Sequence, residues 1–506
     1  MTETLPLDGS SLTLDQFLAV VRGRCGVALV PAAREAIRGA RGVVERAVAS
    51  ERPIYGVTTG FGRLADVRVQ APATEALQLN LIRSHASGAG SPLPEELVRG
   101  MMLLRVNTFA RGLSGVRPEL VDVLIECLNR GIYPFVPEQG SVGASGDLAP
   151  LAHLALALIG EGECIDPHGV RRVSAEILVA NGIRPAVLVA KEGVALINGT
   201  SLMTSYLALA VADARNLLAA AEDAIALAWD ALRGSMEPLD DRLGVARNLP
   251  EQRAVAERLR RRLNGSELAF RASTGQPQDP YTLRCAPQVL AATELAVGFA
   301  ERVAATELNA VSDNPLVFPG DEFVSGGNFH GQPLALALDT LALGVQYLAG
   351  YSERRVARLL NPATNRGLPA FLASDPGLTS GFMIAQYLQA AIVAENVVLA
   401  HPASAMSLPT SADQEDFNSQ GAAAGAKLRR LITNVERVIA VEWLVAGQAL
   451  EARRPTAGGA GSERALRALR GLVPPLSTDR PLAGDIDRVA AALHDGSLVR
   501  QSALNG

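Results

Sequence analysis

The loop at residues 140–147, GSVGASGD, contains the residue types best suited to unusual chemistry: three glycines, two serines and a carboxylate. A phosphate-binding loop is one interpretation, but the lysine used by such loops is missing and no strand clearly precedes the segment. A serine nucleophile is a second interpretation, but Ala-Ser-Gly is not the Gly-x-Ser-x-Gly turn of serine hydrolases.

A third interpretation is an autocatalytic cyclisation of Ala144, Ser145 and Gly146. The amide nitrogen of Gly146 would attack the carbonyl carbon of Ala144, and Ser145 would lose its hydroxyl as water to leave an exocyclic alkene. Glycine suits the attacking position because it lacks a Cβ and accepts a tight backbone conformation. The tripeptide alone is weak evidence, since it occurs by chance in many loops.

The longer string over residues 140–162 closely resembles the aromatic amino acid lyase family, and within it the members that act on histidine. The resemblance extends from about residue 14 to about residue 500 through further motifs in the same order. These motifs are YGVTTGFG (55–62), LINGTS (196–201), QDPYTLRC (278–285), SDNPLVF (312–318), SGGNFHGQP (325–333) and SLPTSADQED (407–416).

The resemblance implies that residues 144–146 form a 4-methylidene-imidazol-5-one group, with no external cofactor and no metal. Elimination of ammonia from an amino acid removes a weakly acidic β-proton and expels a poor leaving group. An electrophile attached to the amino nitrogen would improve the leaving group, and a positioned base would take the proton. The expected activity is therefore that of a carbon–nitrogen lyase.

Residue roles follow from the same resemblance. Tyr55 matches the family's base, although a tyrosine outside such a motif is usually a half-buried aromatic. Arg284 would hold the substrate carboxylate by a planar two-point contact. The other positions are expected around the electrophile and substrate, and they are Tyr281 (counted with the catalytic residues), Asn198, Gln278 and Phe329, the last packing against the loop.

Two positions favour histidine as the substrate. His85, in Ser84-His85, and Glu415 both match the histidine-specific members, and a carboxylate can accept the N–H of an imidazole ring. Thr58 and Phe417 depart from that pattern, because histidine lyases generally carry asparagine and histidine at these positions. The alternatives left open are a tyrosine or phenylalanine lyase, a 2,3-aminomutase on the same scaffold, and an inactive helical oligomer.

The elements that position these residues are predicted to be mainly helical, with a smaller mixed N-terminal part carrying the loop. Thr13-Leu-Asp-Gln16 is a capping box that begins a helix, and 55–64 and 133–150 break helical periodicity. From residue 201 onward, apolar residues at three- and four-residue spacing predict long helices. They are 201–233, 286–311, 333–360, 380–400 and 420–452, followed by helices near 463–472 and 484–495.

The organisation is expected to be one integrated unit with an N-terminal part (1–200) and a long-helix part (201–506). A flexible hinge is predicted at 453–462, and the arginines of 258–262 suggest a solvated helix face. The resemblance implies a homotetramer with active sites shared between subunits.

Composition limits the partners and the compartment. Charged residues make up 20% of the chain and interrupt its apolar stretches, so no membrane span is expected. A net charge of −5, with basic residues interspersed among acids, argues against nucleic acid and leaves an amino acid as the expected ligand. The acidic N-terminus and four widely spaced cysteines predict a reduced, cytoplasmic protein.

Overall fold

The computed structural model describes residues 4–23, 25–50, 52–70, 73–166, 168–269 and 278–503. The helices are α1 Leu14–Val21, α2 Pro31–Ala49, α3 Thr74–His85, α4 Glu95–Ala110, α5 Pro118–Asn129, α6 Leu148–Leu158, α7 Ser174–Ala180, α8 Glu192–Ile197, α9 Ser201–Ala231, α10 Asp241–Arg247, α11 Pro250–Arg262, α12 Tyr281–Arg284, α13 Ala286–Glu307, α14 Gln332–Leu360, α15 Met383–Leu399, α16 Gly421–Glu451, α17 Ala460–Leu472, α18 Ala483–His494 and α19 Ser497–Ala503. The strands are β1 Thr4–Leu7, β2 Gly26–Leu29, β3 Ala89–Pro92, β4 Tyr133–Pro134, β5 Pro137–Gln139, β6 Glu163–Ile165, β7 Arg171–Val173, β8 Leu316–Phe318 and β9 Glu322–Val324.

The strands form four small sheets. β1 and β2 pair in parallel with Thr4 opposite Gly26, whereas β3–β5, β4–β6–β7 and β8–β9 are antiparallel. Strands of two to four residues cannot form an extended core, so the mainly α fold class predicted from the sequence is confirmed.

The predicted helices lie close to their expected bounds because their signals are local. Thr13 accepts a hydrogen bond from the amide of Gln16, and the Gln16 side chain accepts one from the amide of Thr13, completing the capping box of α1. The long helices α9 and α16 each contain 31 residues. Helices of this length can pack against several neighbouring helices, as predicted from the apolar residues around most of their circumference.

The described chain forms two compact units. The first contains residues 1–209, 301–338 and 402–426, and the second contains 210–300, 339–401 and 427–506. Two later segments, 301–338 and 402–426, thus belong to the same unit as the N-terminal residues. The expected integration of parts 1–200 and 201–506 stays a prediction.

In the first unit, an apolar cluster fixes the loop that begins near residue 52. Ile54 and Val57 are buried together with residues of α2 and with Ala190 and Val317. Since these two anchors flank Tyr55, they fix the backbone of the segment that presents its side chain. Burial of two aliphatic side chains stabilises this attachment by about 1.5–3 kcal/mol each.

In the second unit, the helices are joined by buried polar contacts as well as by apolar packing. The guanidinium of Arg355 on α14 makes two hydrogen bonds to the carboxylate of Glu442 on α16, at 2.5 and 2.8 Å. The indole N–H of Trp443 donates to the carbonyl of Ala220 on α9 at 3.0 Å. A buried ion pair with both partners bonded fixes the register of two helices more than it stabilises them.

Two expectations for the second unit are wrong. Within 453–462, Gly458 and Gly459 are buried, and their amides donate to the carboxylates of Glu463 and Asp230, so the segment is a packed connection rather than a flexible hinge. Arg258 and Arg262 do not form a solvated face. They pair with acidic side chains of α9 and α13, which are Glu222, Asp223 and Glu294.

One described helix, α14, is long and apolar enough to cross a membrane by length and composition, with 61% of its apolar window buried in the protein. A core helix passes the same test when its apolar side chains face other helices. All four cysteines lie in the described part of the chain and none forms a disulfide.

Candidate active site

The tripeptide 144–146 lies in a tight turn between β5 and α6. Ser145 has a φ of 51° and Gly146 a φ of 83°, both in the left-handed region. A Cβ at Gly146 would lie 2.1 Å from the carbonyl oxygen of Gly199, so only glycine fits. The three-residue strand β5 does precede this loop, contrary to the sequence-based expectation, but the lysine of a phosphate-binding loop is still missing.

A backbone clamp holds the turn against the segment that follows α8. The amide of Gly199 donates to the carbonyl of Ser145 at 3.3 Å, and the amide of Asp147 donates to the carbonyl of Gly199 at 2.7 Å. The Asp147 carboxylate accepts from the amides of Leu202 and Met203, at 2.8 and 3.2 Å, at the beginning of α9. Burial raises the pKa of Asp147 to about 7, against the effect of these two amides.

A cavity of about 430 Å³ opens beside this turn. Its lining includes five of the residues singled out in the sequence: Tyr55, His85, Ser145, Asn198 and Glu415. All five belong to the first unit, although they come from five separate segments of the chain. The rest of the lining is largely apolar, from residues such as Leu77, Leu148, Val194 and Ile197.

Tyr55 is held at both its backbone and its ring. Its hydroxyl oxygen accepts a hydrogen bond from the amide of Gly62 at 3.1 Å, and the Phe61 ring meets it edge-on with centroids 6.3 Å apart. The buried Gln78 side chain holds the next residue of this loop: it donates to the carbonyl of Gly56 and accepts from the amide of Val194. One amide group therefore links the Tyr55 loop to α8, the helix that leads into Asn198.

Thr58 stabilises the Tyr55 loop and is not among the residues that line the cavity. Its hydroxyl donates to the carbonyl of Arg52 at 2.5 Å and accepts from the amide of Ile54 at 2.9 Å. The side chain is 5% exposed. The side chain at position 58, where the sequence departs from the histidine-specific pattern, thus bonds to its own loop and does not line the cavity.

Glu415 approaches the tripeptide from a third segment of the chain. The hydroxyl of Ser145 donates to one carboxylate oxygen at 3.1 Å, and the hydroxyl of Thr410 donates to the other at 2.9 Å. Ser411, Ala412 and Asp413 are all left-handed, with φ of 53°, 49° and 64°. Three such residues in succession are strained, and they return the chain so that Thr410 and Glu415 pair through their backbones.

His85 ends α3 with its Nδ1 atom 2.9 Å from the carbonyl of Leu81. A carbonyl only accepts, so Nδ1 carries the proton and Nε2 is left as the acceptor of the neutral ring. Burial lowers the pKa of His85, while the Leu81 carbonyl and the Glu415 carboxylate oppose that shift.

Asn198 also lies in the cavity with unused hydrogen-bonding capacity. Its side-chain oxygen is buried and has no hydrogen-bond partner among the described residues. A buried acceptor without a partner destabilises the protein by about 1–3 kcal/mol. A bound ligand that donates a hydrogen bond to this oxygen would recover that free energy. The tight turn at Gly146, the exposed face of Ser145 toward Glu415 and this acceptor together fit an electrophile built on residues 144–146.

Four residues from the sequence-based set lie elsewhere. Gln278, Tyr281 and Arg284 belong to the second unit, where the Arg284 guanidinium lies 4.6 Å from the centre of the Tyr281 ring. Tyr281 is 67% exposed, and the Arg284 Nε is buried and has no hydrogen-bond partner among the described residues. Phe329 is half-buried in the turn before α14 and is not among the residues lining the cavity.

Three residues that shape the cavity were not predicted from the sequence. Leu77, Asn80 and Leu81 line it from one face of α3, together with Ser84 of the Ser84-His85 pair, and their three- and four-residue spacing was the available signal. Thr410, which fixes Glu415, lies inside a recognised motif, but its contact depends on the strained turn that follows it.

The match to known proteins covers nearly the whole chain. Residues 12–471 match the family described as aromatic amino acid lyase, and the chain belongs to this family of carbon–nitrogen lyases. The histidine ammonia-lyase of Symbiobacterium thermophilum is 50% identical over 492 residues, covering 97% of each chain.

Solved structures in the same family share the fold. A tyrosine aminomutase from Streptomyces globisporus superposes with a TM-score of 0.94 at 38% identity, covering 99% of this chain and 98% of that one. The histidine ammonia-lyase of Trypanosoma cruzi superposes with a TM-score of 0.92 at 40% identity, covering 99% and 95%. Fold similarity is thus equally high to lyases and to aminomutases, so the substrate must be argued from the site.

Proposed function

We propose that this protein converts L-histidine to urocanate and ammonia, using an electrophile that forms from its own residues 144–146. The observation that carries the proposal is the meeting of Ser145, Tyr55, His85 and Glu415 in one cavity. The high identity to proteins named histidine ammonia-lyase supports the same substrate.

The electrophile would form without any other reactant. The Gly146 nitrogen would bond to the Ala144 carbonyl carbon, and the carbonyl oxygen would leave as one water with the amide hydrogens of Gly146 and Ser145. Ser145 loses its α-proton and its β-hydroxyl as a second water. When present, the resulting 4-methylidene-imidazol-5-one supplies an electrophilic carbon that improves the leaving ability of the amino group.

The surrounding residues would bind and deprotonate the substrate. Tyr55 takes the β-proton as general base. Glu415 accepts the N–H of the substrate imidazole, and neutral His85 provides a second ring partner. Asn198 binds near the amino group through its free side-chain oxygen. A carboxylate in this position also disfavours a phenyl ring, because that ring would leave it desolvated without a partner.

We assign the remaining contacts to a second copy of the chain in a homotetramer with shared active sites. Arg284 would bind the substrate carboxylate in two-point geometry. Tyr281 and Gln278, which precede it, would lie beside the electrophile, and Phe329 would pack against the turn. The enzyme would work in the cytoplasm, on a free amino acid, without nucleic acid or membrane as a partner.

The test has two parts. Purified protein is offered histidine, tyrosine and phenylalanine separately, and urocanate, coumarate, cinnamate and β-amino acids are quantified by chromatography. Intact mass is measured for the wild type and for Ser145→Ala. We expect urocanate to dominate and the wild type alone to lack two waters, with Ser145→Ala folded and slower by orders of magnitude, since only Ser145 has the hydroxyl that leaves.

A tyrosine- or phenylalanine-specific lyase or aminomutase is the second candidate. Thr58 favours it, because YGVTTGFG is the form of the motif in enzymes of those substrates. Coumarate or cinnamate formed faster than urocanate, or a β-amino acid as the main product, would establish this candidate. A wild-type mass without water loss would contradict the electrophile itself.

A further inference from the structure

We propose that Arg105 is a positioning residue for the cyclisation of residues 144–146. Its buried guanidinium fixes the backbone of Asn198 and Gly199, which in turn clamps Ser145 and Asp147. The inference rests on the proposed function, because it concerns how the electrophile forms.

Arg105 binds the end of α8 from inside the first unit. It lies on α4 and is 0% exposed. Nη1 donates to the carbonyl of Asn198 at 3.0 Å, and Nη2 donates to the carbonyl of Ala195 at 2.7 Å. The last carbonyls of a helix have no partner within it, so a planar two-pronged donor both satisfies and orients them.

The guanidinium remains a cation in this position. Burial lowers the pKa of Arg105 to about 10, while the carboxylates of Asp313 and Asp147 oppose that shift. At neutral pH the group is therefore protonated and able to donate from both terminal nitrogens.

Gly199 transmits the position of Arg105 to the tripeptide. A Cβ on Gly199 would lie 2.5 Å from the Arg105 Nη1, so backbone and guanidinium are in direct contact. The same glycine donates to the carbonyl of Ser145 and accepts from the amide of Asp147. If the carbonyl of Asn198 is released, the peptide between residues 198 and 199 can rotate, and the bond from the Gly199 amide to Ser145 weakens directly.

Such a shift should slow ring closure more than it affects folding. The reaction needs the Gly146 nitrogen held against the Ala144 carbonyl carbon, and intramolecular reactions depend steeply on such placement. Loss of a two-point anchor thus lowers the fraction of chains in which the attacking and accepting atoms meet.

Arg99 provides a matched control on the same helix. It is 2% exposed, and its guanidinium donates to the carbonyls of Val20 and Val21 at the end of α1. No residue of α1 lines the cavity. Arg99→Gln and Arg105→Gln therefore remove the same kind of buried anchor, but only the second lies behind the tripeptide.

The experiment compares the wild type, Arg105→Gln and Arg99→Gln, each purified as soluble protein at the same time after induction. Intact mass gives the fraction that has lost two waters, near-ultraviolet absorbance checks it, and thermal unfolding reports stability. We expect both variants to melt at lower temperature, with the dehydrated fraction of Arg105→Gln reduced about tenfold or more and that of Arg99→Gln unchanged.

Full dehydration of Arg105→Gln, or equal losses in the two variants, would overturn the role of Arg105 and leave the proposed function standing. If Arg105→Gln is insoluble, Arg105→Lys decides, since lysine keeps the charge but not the two-point geometry. Soluble Arg105→Lys with partial dehydration supports the proposal. Complete dehydration, or insolubility of both variants, contradicts it, whereas an unmodified wild type contradicts the proposed function.

Discussion

At the residue scale, the carboxylate of Glu415 can have one partner before the proposed cyclisation and another after it. In the unmodified chain it accepts from the hydroxyl of Ser145, at 3.1 Å. On the proposed cyclisation that hydroxyl leaves as water, so one oxygen of Glu415 would be free for a ligand while the other stays bonded to Thr410. The same oxygen that holds the precursor serine is thereby available for an imidazole N–H.

Glu415→Gln should weaken the use of histidine. A hydrogen bond to a charged group contributes about 1.5–3 kcal/mol, so kcat/KM for histidine should fall roughly ten- to a hundredfold. Kinetics with urocanate detection measures this, after intact mass has shown that the variant still loses two waters. Asp416→Asn changes the neighbouring carboxylate, which is exposed and does not line the cavity, and serves as the control. Urocanate formation within about threefold of the wild type would remove Glu415 from substrate recognition.

His85 should make stability depend on pH. Burial lowers its pKa below 6.5 in the folded protein, so between that lowered pKa and 6.5 the unfolded chain binds a proton that the folded chain does not. Stability is therefore lost as pH falls from 6.5 through the folded-state pKa.

The measurement is the thermal unfolding of the wild type and His85→Gln from pH 8 to pH 5 without substrate. The wild type should lose more stability than His85→Gln over the acid part of this range. His168→Gln, which changes an exposed histidine, should behave like the wild type. Parallel curves for the wild type and His85→Gln would contradict the burial of a neutral ring.

At the element scale, the loop that presents Tyr55 depends on Thr58. Thr58→Val keeps the shape of the side chain but leaves the buried amide of Ile54 without its acceptor, at a cost of about 1–3 kcal/mol. We expect a lower melting temperature and a kcat reduced about tenfold, because a base that moves by an ångström loses much of its effect. Thr58→Ser keeps the hydroxyl and should retain activity, so equal kcat values in the two variants would refute the role of Thr58.

At the element scale, the sequence predicts the long helices but not the contacts between segments that are distant in the chain. Helices such as α9 and α16 follow from residue spacing because burial of one face is a local pattern. The packing of Gly458 and Gly459 is not local, and glycine-rich composition indicated flexibility there instead. Arg99 and Arg105 each follow two apolar residues on α4, yet only the fold shows that Arg105 lies behind the tripeptide.

In the candidate site, the sequence likewise predicted the residues but not all of their contacts. The motifs identified Tyr55, His85, Ser145, Asn198 and Glu415, and all five line one cavity. The hydrogen bond between Ser145 and Glu415 was not predictable, because it joins two segments that lie 270 residues apart in the chain. The motif related Thr58 to substrate choice, whereas in the structure its hydroxyl bonds to the backbone of Arg52 and Ile54 in the same loop.

At the scale of the whole molecule, sharing of active sites can be tested by complementation. Ser145→Ala and Arg284→Gln should each be nearly inactive alone. If the two residues of one site come from different copies, co-expression in equal amounts should restore about a quarter of wild-type activity, since random assembly gives each site both intact residues in about one case in four. Co-purification through two different tags isolates the mixed oligomer.

Active sites built from a single chain predict a different result. If both residues of a site come from one chain, every site in the mixed oligomer carries one defect and activity stays near zero. Mixed oligomers of the wild type and Ser145→Ala provide the control, because they should be active under either arrangement.

The clamp at Gly199 also bears on the order of events while the chain is being made. Ser145 and Asp147 leave the ribosome well before Gly199 and the first turn of α9, which supply their backbone partners. On the proposal that this clamp positions the tripeptide, a nascent chain ending before residue 199 carries an ordinary serine at position 145. Maturation then waits for synthesis to pass that point, and chains that stop short of it do not carry the reactive group.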